Sequence, residues 1–114
     1  MGASLSLFGR RKDGAELPAA AMIATVRYMV VETFTSGPEP IYQRARDRGR
    51  MLPDGLNYID SWIDERLDRC FQLMETDDPA LFDEWIARWS DLALFEVVPV
   101  LSSDEAASRA RQSR

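Results

Sequence analysis

The chain is 114 residues long, 46% hydrophobic and 10% aromatic, with a formal net charge of −5 and no histidine. That length and composition fit one globular domain with a modest core. An acidic chain without a basic stripe argues against nucleic acid, whose affinity rests on phosphate neutralisation, and one cysteine without histidine leaves neither an intrachain disulfide nor a zinc-ligand set.

Residues 1–25 read as an extension. A basic run, Arg10-Arg11-Lys12, is followed by Asp13, Gly14 and Glu16 where a secretory signal needs its apolar segment. A twin-arginine export signal meets the same objection. The expectation is a poorly ordered tail, or residues upstream of a start at Met22. No stretch approaches membrane-spanning length, so no membrane partner is expected, and a reduced cytoplasm is the natural location.

The first strand is Val26 to Phe34, with Tyr28, Val30, Glu32 and Phe34 on one face and Met29, Val31 and Thr33 on the other. Thr35-Ser36-Gly37-Pro38 reads as a turn. Pro40 then opens a helix reaching Arg48, with Gly49 at its C-terminal cap and Ile41, Tyr42 and Ala45 as its apolar contribution. Arg44 and Arg48 share a face of that helix, read either as a phosphate or carboxylate clamp or as a solvated surface.

After the turn Leu52-Pro53-Asp54-Gly55, two period-two runs, Asn57 to Asp64 and Cys70 to Thr76, make a hairpin. Asp78-Pro79 caps and opens a helix over Ala80 to Ser90, whose Leu81, Trp85 and Trp89 recur at helical spacing beside Phe82 and Ile86. Phe95 to Val100 is a β-branched strand placed at an edge by Pro99. Ser102 and Glu105 form a capping box for a short terminal helix that fades into a polar tail.

This order predicts an α+β, ferredoxin-like βαββαβ domain over residues 26–101, followed by a short helix and tail over 102–114. Its antiparallel four-stranded sheet carries both helices on one face. The other face, expected to hold Tyr28, Val30, Phe34, Tyr58, Trp62 and Met74, is too apolar for water, and pairing with a second copy would bury it in a homodimer. Met29, Val31, Ile59, Ile63, Phe71 and Leu73 are expected to lie beneath Trp85 and Trp89.

The candidate ligand site is the open face with Tyr28, Glu32, Tyr58, Asp60, Trp62 and Gln72, floored by Cys70, Gln72 and Met74. Glu32 and Asp60 are the candidate catalytic residues, with Glu96 a third strand carboxylate, since an apolar pocket raises a carboxyl pKa and suits it to acid–base work. The alternative is that these carboxylates pair with Arg27, Arg66 or Arg69 at the surface. Cys70, with no base to activate it, reads as a buried strand cysteine. No metal or cofactor is expected.

The segments RYMVVETF, YQRARDRGRMLPDGLNYIDSW and CFQLMETDDPALFDEWIARWSDLALFEVVPV together resemble the small bacterial family called domain of unknown function 3303, from about Arg27 to the terminal helix. That resemblance implies the dimeric α/β-barrel superfamily, which includes haem-degrading and cofactor-free monooxygenases, isomerases and stress-induced binding proteins. The family has no established activity, so no catalytic residue is carried over, and the missing histidine counts against haem chemistry.

Two readings of function remain. One is a binding or structural module, a dimer whose inter-sheet cavity takes a small, partly apolar ligand. The other is a cofactor-independent isomerase, lyase or monooxygenase, with Glu32 or Asp60 as base and Tyr28 or Tyr58 as hydrogen-bond donor. Whether the protein is an enzyme is left open.

Overall fold

The computed structural model describes residues 26–112. The expectations for residues 1–25, including a start at Met22, lie outside the described residues.

Four strands, β1 (Val26–Phe34), β2 (Asn57–Ile63), β3 (Arg69–Thr76) and β4 (Ala93–Val100), form one antiparallel sheet in the order β2-β3-β1-β4. Helices α1 (Pro38–Arg48) and α2 (Leu81–Ala87) join the strands in ferredoxin-like βαββαβ order, and α3 (Ser103–Gln112) follows β4. As its proline requires, β4 is an edge strand.

The helix boundaries follow local chemistry. Pro38, not Pro40, opens α1, after Gly37 at φ 78°. Gly49 closes that helix at φ 68°, ψ −159°, its N–H bonding to the Ala45 carbonyl at 2.8 Å. The second helix is shorter than the periodicity predicts. Asp78-Pro79-Ala80 forms a turn ahead of it, with Leu81 N–H donating to the Asp78 carbonyl, and the residues after Ala87 tighten into i→i+3 bonds such as Trp89 N–H to Ile86 at 2.9 Å. The tightened turn keeps Trp89 beside Trp85 on the buried side. For α3 the capping box forms as expected: Glu105 N–H donates to Ser102 Oγ at 3.0 Å and Ser102 N–H to Glu105 Oε1 at 2.8 Å.

The faces of the central strands are exchanged relative to the sequence expectation. Tyr28, Val30 and Glu32 of β1 and Cys70, Gln72 and Met74 of β3 are buried on the helix-covered face, not on the open one. Met29, Val31, Phe71 and Leu73, expected beneath the tryptophans, are half-buried on the other face. Each strand alternates two nearly equally apolar faces, so only packing against the helices chooses between them.

A bulge splits β2. Tyr58 pairs with Met74 and Asp60 with Leu73, so Ile59 is the extra residue. Tyr58 therefore looks to the covered face, while Asp60 and Trp62 look to the open one. The core lies between helices and sheet: Tyr28 meets Phe82 edge-on at 4.9 Å, and Trp85 meets Phe95 at 5.6 Å. Burying Trp85 this completely makes truncation to alanine cost about 3–5 kcal/mol.

Candidate functional site

The strand register lines up Ile63, Cys70, Glu32 and Phe95 as one rung of the covered face. The next rung holds Ser61, Gln72, Val30 and Val97. Four side chains capable of polar contacts thus fall side by side on β1, β2 and β3, roofed by helices rather than open to water. Glu32 is only 5% exposed. Its Oε2 accepts a hydrogen bond from Gln72 Nε2, so the carboxyl is partnered but largely cut off from solvent.

Arg50 closes this cluster from the segment between α1 and β2. Its Nε donates a long 3.4 Å bond to Gln72 Oε1, and its guanidinium carbon lies 3.6 Å from the centroid of the Tyr58 ring. The Tyr58 hydroxyl is in turn 2.7 Å from Ser61 Oγ. Glu32, Gln72, Arg50, Tyr58 and Ser61 form a continuous polar chain from the buried sheet to an exposed cation.

Burial dominates the electrostatics. Desolvation pushes the Glu32 carboxyl up to about 7, with the nearby Arg50 cation pulling the other way. The Cys70 thiol is pushed up to about 12, by burial first and by the Glu32 charge second, with Arg50 offsetting part of it. A thiol held there is protonated at neutral pH and is not a nucleophile, in line with the sequence reading of Cys70 as structural. On α1, the Tyr42 phenol is held above its ordinary range, by burial first and then by Cys70 and Glu32. Glu32 is the group in this cluster placed to exchange a proton near pH 7.

The structure sorts the predicted site residues into three places. Glu32, Gln72 and Tyr58 come together in the polar chain. Tyr28 shares their face but packs on Phe82 as core. Asp60 and Trp62 stand on the opposite face, Asp60 exposed with one oxygen accepting from Ser61 N–H at 2.8 Å, and Trp62 52% exposed. Glu32 and Asp60 therefore do not converge. Glu96 is also exposed, on β4. The arginines weighed as partners for Glu32, Asp60 and Glu96 pair with other carboxylates instead: Arg27 meets Glu75 and Arg69 meets Asp64, each at 3.9 Å.

Sequence reasoning missed Arg50. It lies just past the helix that carries Arg44 and Arg48, with Gly49 ending that helix before it and Met51 following at φ 60°. The signal available was Gly49 itself, a helix stop that frees the next side chain to turn inward. Arg44, by contrast, is committed elsewhere: it grips Asp91 through two bonds of 2.8 and 2.7 Å, which lowers the Asp91 carboxyl below its ordinary range.

Among the described residues no group of three or more metal-ligating side chains is assembled, and no helix is long and apolar enough to cross a membrane. No curated protein and no solved structure matches the chain. A family model described as Domain of unknown function (DUF3303) matches residues 26–114. That match takes in all four strands and all three helices, and the chain belongs to the DUF3303 family.

Proposed function

We propose that this DUF3303 chain is a small-molecule-binding domain that works as a cytoplasmic homodimer, with its ligand site at Glu32 on the helix side of the sheet. The observation carrying this reading is the buried Glu32–Gln72 pair with Arg50 stacked at its edge. A domain of this size gains no stability from burying a lone carboxyl, because desolvation makes such a group costly unless it is well paired. Retaining one beside a glutamine and an arginine is what a site for a polar ligand group requires.

The homodimer rests on the opposite face. Met29, Val31, Phe71 and Leu73 form its apolar middle, with Trp62 beside them, and charged pairs Arg27–Glu75 and Arg69–Asp64 lie towards its margins. An apolar centre with a polar rim has the make-up of a protein interface, and a second copy supplies a matching surface. The ligand site then lies within each protomer and not between the sheets.

A second reading is favoured by one observation, the Glu32 carboxyl held at about 7. A base poised there can take a proton from a weakly acidic substrate carbon or oxygen and return it, which is the chemistry of a cofactor-independent isomerase or lyase.

Thermal-shift screening of a chemically mixed library of small neutral, anionic and cationic compounds tests the binding reading, using wild type and Glu32→Gln. Compounds that stabilise wild type and lose that effect in Glu32→Gln are expected. No stabilising compound, or equal stabilisation of both proteins, overturns it.

A further inference from the structure

Arg50 is held in place by contacts that leave most of its hydrogen-bonding edge unused. Its backbone is fixed on every side. Gly49 before it occupies a region open to glycine alone, and Met51 after it sits at φ 60°, where side-chain-bearing residues rarely go. The Arg50 carbonyl accepts both the Trp85 and Trp89 indole N–H groups at 3.0 Å, and the Met51 carbonyl accepts Arg88 Nη1 at 2.6 Å. Strained backbone held by three donors from the α2 region is an arrangement that positions a side chain.

That side chain carries a planar cation. Its central carbon sits 3.6 Å from the Tyr58 ring centroid, and it makes one long bond through Nε, to Gln72. Arg27, Arg44, Arg69 and Arg88 each meet a carboxylate within ion-pair distance; Arg50, like Arg46, Arg48 and Arg66, meets none among the described residues, but it alone of these four lies over an aromatic ring. The two Nη groups, four N–H donors, have no partner there.

We infer, resting on the binding reading above, that the ligand is a small monocarboxylate whose two oxygens dock on the outer edge of the Arg50 guanidinium. A planar two-oxygen anion matches the guanidinium fork, and the close Tyr58 ring helps hold the cation in place. A dianion such as phosphate is disfavoured by the Glu32 carboxyl behind the cation. Gln72 links the two ends, accepting from Arg50 and donating to Glu32, so the anion site and the buried carboxyl are joined through one side chain.

Benzoate is the probe, with benzamide as its uncharged isostere, in titration calorimetry of the full chain at constant ionic strength. Wild type is expected to bind benzoate and to bind benzamide at least about tenfold more weakly, the scale of one charge-assisted hydrogen bond. Arg50→Met should lose the benzoate preference. Arg50→Lys should keep part of it, since the charge stays and the fork is lost. Circular dichroism melts establish that both variants are folded. Equal affinity for benzoate and benzamide, or an unchanged preference in Arg50→Met, overturns the carboxylate assignment. Failure to bind benzoate overturns it too; if neutral library compounds still depend on Glu32, the binding reading stands without it, and if nothing binds at all, both fall.

Discussion

Trp85 and Trp89 donate their indole N–H groups to a single acceptor, the carbonyl oxygen of Arg50, each at 3.0 Å. The two rings are one helical turn apart in sequence and both buried. Two donors fill both lone pairs of one carbonyl, so α2 and the turn that follows it grip the segment leading into β2 at one atom. The apolar stripe that makes α2 amphipathic thereby also fixes the residue at the mouth of the candidate site.

Replacing either tryptophan with phenylalanine keeps a large ring and removes the N–H. Trp89→Phe should cost about 1–2 kcal/mol, part lost hydrogen bond and part lost volume. The double variant should cost more than the two singles combined, because the second substitution leaves the Arg50 carbonyl with no donor. Urea unfolding of the four proteins measures this. Strict additivity would show that the shared acceptor does not couple the two rings.

Gly49→Ala tests the backbone on the other side of Arg50. Apart from its own chain neighbours no atom lies within 4 Å of where the new Cβ would stand, so tertiary crowding contributes nothing. The cost comes from φ 68°, ψ −159°, which only glycine occupies readily. About 1–3 kcal/mol of destabilisation is expected, with weaker ligand binding if the Arg50 side chain shifts. A melting temperature equal to wild type would mean that the segment relaxes freely.

The sequence made the element order readable because each element announces itself locally: proline and glycine at the ends of α1, the Ser102–Glu105 box, the helical spacing of Trp85 and Trp89. Which face of the sheet those helices cover was not readable. Tyr28-Val30-Glu32-Phe34 and Met29-Val31-Thr33 are both apolar enough to be buried, and a glutamate in the first set argues for water. That glutamate is buried because Gln72 partners it and because its carboxyl can hold its proton near neutrality. The bulge at Ile59 hid a second feature. Strict alternation puts Tyr58, Asp60 and Trp62 on one face, whereas the extra residue sends Tyr58 to Arg50 and leaves the other two opposite.

Glu32 should leave a mark on the pH dependence of stability. Its carboxyl sits at 4.5 when unshifted and at about 7 in the fold. Between those values the native state binds more protons than the unfolded chain, so the contribution is fully present below pH 4.5 and lost as pH rises through 7. A shift of that size corresponds to about 3 kcal/mol. Glu75, also raised by partial burial, adds a smaller change in the same direction. The difference between wild type and Glu32→Gln isolates the first residue: the variant should be the more stable protein at pH 8, with the advantage shrinking toward pH 5. Parallel pH profiles for the two would place Glu32 in contact with water.

The open sheet face makes the last prediction. On the face that carries the half-buried Val31 and Phe71, Trp62 beside Phe71 is 52% exposed and Leu94 beside Thr33 is 66% exposed. Water in contact with so much apolar surface is displaced when a second sheet packs on it, at about 25 cal/mol per Å². Light scattering at tens of micromolar, where interfaces of standard size persist, should therefore give the mass of a dimer. Trp62→Asp places a charge beside Phe71 and should shift the mass toward monomer, because a carboxylate buried without a partner costs several kcal/mol. The same variant should leave thermal stability of the monomer nearly unchanged, since Trp62 lies on the face away from the core and half of it is in water. Ligand binding gives a separate check. Glu32 and Arg50 lie on the covered face, so a Trp62→Asp monomer should bind as wild type does. A wild-type monomer at that concentration would remove the dimer, and a dimer unaffected by Trp62→Asp would move its interface off this face.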